Sequence, residues 1–229
     1  MAAPARRAHI PTVPTPRSRL PAVIAALPDF GLAALFLATW IAPGTVGVHR
    51  IGTLLLVMLL EFFVVHSAGF MGAAAFGDGR RAQRLRWILG LGLLYTLFVG
   101  GFAAAFGTWW PLGAFWALVL NRLLGVLVGQ VPSEDGRMLI MRGWAVSVMA
   151  YLGAVFATVL LPVPGFGIDA SVRAAANLPG GGLWIEEPQR VIAAGFLYFA
   201  ALGLSELADH RWLPASNLPG ARGTATPDA

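Results

Sequence analysis

The 229-residue chain contains neither cysteine nor lysine, and only 12% of its residues are charged. The missing cysteines exclude a disulfide scaffold, a thiolate metal site and a cysteine nucleophile. The missing lysines exclude a Schiff base, and with it a retinal pigment, as well as the lysine of a phosphate-binding P-loop. All 16 basic residues are arginine. Soluble domains carry about 25% charged residues, so this chain lacks the polar groups to cover a soluble surface. What it has instead is apolar: 57% hydrophobic residues and a mean hydropathy of +0.71. Abundant alanine, glycine and arginine without lysine points to a bacterial source with a GC-rich genome.

The isoelectric point near 10.9 would suit nucleic-acid binding. The placement of the arginines argues against it. They fall in short clusters between long apolar runs, as in loops that face anionic headgroups. Six such runs approach the 20 or so residues that cross a bilayer: 22–42, 51–74, 87–107, 110–130, 143–162 and 189–207. Barrel strands are excluded, because they would alternate over about ten residues and Leu54 to Leu60 does not alternate. The expected fold is all-α, a polytopic membrane bundle of six transmembrane helices spanning 21–208. Tails at 1–20 and 209–229 flank it, the first rich in proline and expected to be disordered. A cleaved secretory signal is not expected, since Trp40 would stand at the −3 position of a cut after Ala42.

With the amino terminus inside, 12 arginines fall on the inner side and three, Arg50, Arg173 and Arg190, on the outer side. The positive-inside rule therefore places both termini in the cytoplasm of a bacterial cell and the chain in its inner membrane. Seven of the eight tryptophans fall at predicted span ends, forming an aromatic belt that agrees with this reading. In the longest outer loop, 163–188, Asp169 is placed to cap a short helix from Ala170 to Ala176. Glu186, Glu187 and Pro188 open the last span.

Small residues recur at four-residue spacing, as at Ala68 and Gly72, Gly69 and Ala73. Gly90, Gly92, Gly100 and Gly101 add to them on the third span. They are expected to let helices pack closely, within the bundle or in an oligomer.

Ionisable groups inside a membrane need a partner or a function. Glu61 lies about 15 Å and Arg122 about 18 Å from the outer side, by the 1.5 Å rise of a helix. Similar depth on different spans suggests an ion pair, as a structural clasp or a responsive centre. Asn121 points about 100° away from Arg122. Asp29 follows Pro28, so the first span either runs through the proline or begins there. Glu206 is expected to reach water. His66 stands about 140° around the helix from Glu61, and a haem role would make it the sole axial ligand. Glu61, Arg122, Asn121, His66 and Asp29 together form the candidate polar centre; no metal site and no cofactor are expected.

The F-x-x-x-H at Phe62–His66 and the paired acids Glu186 and Glu187 also occur in CAAX-protease-type intramembrane peptidases. Here the acids follow the histidine and no second histidine motif exists, so that family is not carried over. No nucleophile elbow, Walker motif or dinucleotide fingerprint is present. The expected role is a non-catalytic subunit or scaffold of a membrane assembly, in contact with lipid and with membrane-protein partners or copies of itself. The alternatives are a small transporter built on Glu61 and Arg122, and a membrane enzyme or haem protein using His66.

Overall fold

The computed structural model describes residues 20–77, 79–129 and 133–208; both tails, with the disorder expected of the first, lie outside these. Among the described residues there are six long helices: α1 (Leu20–Ile41), α3 (Arg50–Phe76), α4 (Arg81–Ala105), α5 (Trp110–Val128), α6 (Glu134–Leu160) and α9 (Pro188–Leu207). All six are long and apolar enough to cross a membrane. Three short helices join them at one end: α2 (Pro43–Val46), α7 (Ala170–Ala176) and α8 (Leu183–Glu186). The exposed faces are as apolar as the core. Leu93, Leu94, Leu97 and Phe98 all stand exposed on α4. A helix apolar on its outward face needs lipid around it, and the chain is a multi-pass membrane protein.

Two span starts, those of α4 and α6, differ from expectation for one reason: hydropathy does not register polar helical turns. The helix α1 runs through Pro28 from Leu20, which places Asp29 inside the span. Arg81, Arg84 and Arg86 lie within α4, and Arg137 and Arg142 within α6, instead of in loops. Ser133 caps α6, its hydroxyl accepting from the Gly136 amide at 3.2 Å. Helix geometry therefore continues through the interfacial layer at this arginine-rich end of the bundle.

Two cores meet at α3. The larger joins α1, α3, α6 and α9 around Phe36, Leu55, Met58, Tyr198 and Phe199. The smaller joins α3 to the α4–α5 hairpin around Phe63, Met71, Ile88, Phe115 and Val119. The closest packing is between α1 and α9, where the Phe36 and Phe199 rings stack at 5.6 Å. Gly195 and Gly203 make room for Phe36 and Phe30 in that interface. Of the small residues singled out in the sequence, Gly69 meets Trp144 and Gly92 meets Val119, whereas Gly72, Gly90, Gly100 and Gly101 have no neighbour within 4 Å of where a Cβ would sit.

Helix ends are completed by arginines from other segments. None of α3, α5 or α6 has a basic residue in its own last turn. Arg84 donates to the Ala75 carbonyl of α3 at 2.9 Å, and Arg81 to the Val126 carbonyl of α5 at 3.1 Å. Arg190 donates to Thr158 and Leu161 at 2.6 and 3.2 Å, closing the end of α6. Each supplies a donor and a positive charge where the final carbonyls of a helix lack both.

At the same end as Arg190, the loop after α6 folds back over α1. The Trp40 indole donates to the Pro164 carbonyl at 2.9 Å, and the Gly167 amide donates to the Trp40 carbonyl at 3.1 Å. Asp169 caps α7 as expected, accepting from the Val172 amide at 2.9 Å and the Ser171 hydroxyl at 2.6 Å. These bonds, the Ser171 hydroxyl foremost, hold its carboxyl below the usual aspartate range.

Two outcomes follow. Gly195→Ala drives a methyl group into the Phe36 ring and is expected to cost about 1–3 kcal/mol, the usual range for overpacking, read as a lowered unfolding midpoint in detergent. Because the folded carboxyl of Asp169 titrates below its unfolded value of about 3.9, its cap is fully present above that pH and lost as pH falls through the lower folded value. Exchange of the Val172 amide hydrogen is therefore expected to rise only in strong acid, and Asp169→Asn is expected to remove that pH dependence while keeping the cap.

Candidate functional site

The helix α3 is 27 residues long, about 40 Å at 1.5 Å per residue, and Glu61 stands near its middle. Its carboxylate accepts a hydrogen bond at 3.0 Å from the hydroxyl of Tyr198 on α9. Beside it, Tyr151 of α6 donates to the Met58 carbonyl at 2.9 Å, and the two tyrosine rings meet edge to face at 5.4 Å. One turn of α3 is thus tied to α6 and to α9 in the middle of the bundle. Asp29 on α1 is half-buried and lies within electrostatic reach of Glu61 and of Glu206 on α9. Glu206 is itself partly buried.

Arg122 does not meet Glu61. Its guanidinium donates to the Ala68 carbonyl at 3.2 Å, about 10 Å further along α3. The depths misled because they were counted from each helix's outer end. With 19 residues α5 is eight shorter than α3, so equal counts do not mark equal depths. The ion pair found among the described residues joins Arg190 and Glu187 at 2.7 Å, at the far end of the bundle.

Arg122 and Asn121 instead line a cavity of about 280 Å³ between α3, α5 and α6, walled by Ala68, Gly72, Phe76, Ile140 and Trp144. A second cavity of about 530 Å³ shares those last residues and extends to Arg137. The Arg137 guanidinium lies 5.7 Å from the centre of the Phe76 ring. Trp144 closes the cleft towards the middle of the bundle. Its ring packs on Gly69, and its indole donates to the Val65 carbonyl at 2.9 Å.

His66 belongs to neither group. It is exposed on the flank of α3, with the rings of Phe62 and Phe70 at 5.1 and 5.7 Å. It borders a third cavity of about 230 Å³ with Trp144 and Tyr151. Among the described residues no three histidines or carboxylates are grouped to hold a metal ion.

The single centre expected from the sequence is therefore three places: carboxylates between α1, α3 and α9, an arginine cleft between α3, α5 and α6, and a histidine on the outer flank. The sequence reading passed over Tyr151 and Tyr198. A signal was available, because the chain has only three tyrosines and all fall in mid-span. Tyrosine favours the membrane interface, so one held in the middle needs a hydrogen-bond partner there. No protein family, curated protein or solved structure matches this chain.

If Tyr198 and Glu61 act as one tie, Tyr198→Phe and Glu61→Leu are each expected to lower stability by about 1 kcal/mol, within the range for hydrogen bonds between membrane helices. The double variant is then expected to lose little more than the worse single one. Additive losses in unfolding titrations would separate the two residues.

Proposed function

We propose that this protein is a non-catalytic subunit or scaffold of an assembly in a bacterial inner membrane, with both ends of the chain in the cytoplasm. The observation that carries this reading is where the polar groups of the interior are spent. Tyr198 ties to Glu61, Tyr151 to the Met58 carbonyl, Trp144 to the Val65 carbonyl and Arg122 to the Ala68 carbonyl. Each bond joins α3 to another helix. Such groups fix helix positions, and at the level of Glu61 they are spent on ties between helices. The arginine asymmetry supports the orientation. Outward, α4 offers Gly90, Gly100 and Gly101 with open space around them, positions at which a partner's helix could approach closely.

One observation favours a second reading, a small transporter. Asp29 on α1, Glu61 on α3 and Glu206 on α9 are partly buried carboxylates on three helices of one core, which suits a proton-responsive path through the half of the bundle nearest Glu206. A haem protein using His66 has less support, since its neighbours are two phenylalanines; an absorption spectrum of purified protein addresses it.

Glu61→Gln separates the first two readings. For a scaffold, extraction in mild detergent is expected to show the wild-type chain migrating with partner proteins, and the variant with fewer of them or at lower yield. Gly100→Leu is expected to reduce the same co-migration without lowering the stability of the isolated chain. A Glu61→Gln variant that expresses and assembles normally but loses a pH-dependent flux in vesicles would replace the scaffold reading with the transporter.

A further inference from the structure

The cleft at Arg122 combines two features that the helix ties do not explain. Its walls are apolar, from Phe76, Ile140 and Trp144, yet Arg122 and Asn121 line it from α5 and Arg137 from α6. Among the described residues no carboxylate pairs with Arg122. It makes one hydrogen bond, to a neutral carbonyl, which leaves most of its five donors and all of its charge uncompensated. Holding an arginine inside a span is costly, and a carbonyl neutralises none of its charge. Arg122 lies six residues from the end of α5, about 9 Å along its axis, so the guanidinium is within reach of a headgroup that sinks into the cleft.

The two sides of the cleft match the two parts of a phospholipid. The guanidinium forks suit a phosphate, and Asn121 adds a neutral donor. Below the phosphate, the channel along Ile140 and Trp144 suits an acyl chain. Basic pockets between transmembrane helices take anionic headgroups in this way. A free phosphate would leave the apolar walls, the greater part of the cleft, without a partner. Gly72 has open space where a side chain would project, so none of the described residues occupies the cleft at that point.

We propose that the cleft between α3, α5 and α6 holds an anionic phospholipid from the leaflet at the arginine-rich end, with its phosphate on Arg122 and its acyl chain along Ile140 and Trp144. This goes beyond the scaffold reading and does not depend on it, because the lipid site would be present in a transporter as well.

The test is thermal unfolding of the full-length protein, delipidated in detergent and titrated with phosphatidylglycerol, phosphatidylcholine of the same chains, or inorganic phosphate. Phosphatidylglycerol is expected to raise the midpoint at concentrations at least tenfold lower than phosphatidylcholine, and inorganic phosphate is expected to have no effect. Arg122→Met is expected to abolish that preference. Gly72→Leu fills the cleft without touching a charge and is expected to do the same, which keeps the test decisive should Arg122→Met fail to fold. Arg86→Gln removes an exposed arginine outside the cleft and is expected to leave the preference intact. Equal responses to the two lipids would overturn the proposal, as would a preference that survives Gly72→Leu or is lost in Arg86→Gln. A full response to inorganic phosphate would replace the lipid with a soluble anion.

Discussion

The constraint on which this bundle depends is that a carbonyl oxygen facing lipid has no water to accept from. The last carbonyls of each helix are the exposed case. Here they are met from outside the helix, by Arg84 for α3, Arg81 for α5 and Arg190 for α6. A guanidinium is suited to this, since its planar fork serves several acceptors and remains charged; Arg190 reaches the carbonyls of Thr158, Val159 and Leu161 at the end of α6. The exclusive use of arginine thus has a structural side beside its topological one. Two of the arginines that cluster at one end of the bundle, Arg81 and Arg84, also close helices there, and Arg190 does so at the other end.

Within that frame α3 organises the rest. It belongs to both cores and receives side-chain hydrogen bonds from α4, α5, α6 and α9. All but one of these go to its backbone carbonyls. Accepting at the backbone lets α3 keep an apolar surface while remaining tied on several sides. It also explains how so apolar a helix keeps Glu61, since one carboxylate with one tyrosine beside it serves as a further tie of the same kind.

The six spans were legible because a long apolar run is a local property that needs no knowledge of neighbours. So was the Asp169 cap, which depends on residues three positions apart. The starts of α4 and α6 were not, because their first turns are polar and their helicity rests on position at the interface. The polar centre was legible as a set of residue types but not as an arrangement. Depth along a chain does not give depth in a bundle when helices differ in length, and that difference parted Arg122 from Glu61. Tyr198 lies 137 residues from Glu61, and no local pattern joins them.

The pairing of α1 with α9 has a consequence for how the molecule is made. The first long helix packs chiefly on the last, and touches α3 only lightly. During synthesis from the amino terminus, α1 enters the bilayer well before its main partner exists. Asp29 then faces lipid or a temporary companion, and Glu61 lacks the hydroxyl of Tyr198. The α3, α4 and α5 unit has no such delay, because its helices follow one another directly. Assembly of this bundle is therefore expected to end with a closure, in which the arrival of α9 draws the first helix into place and covers two carboxylates in the same step.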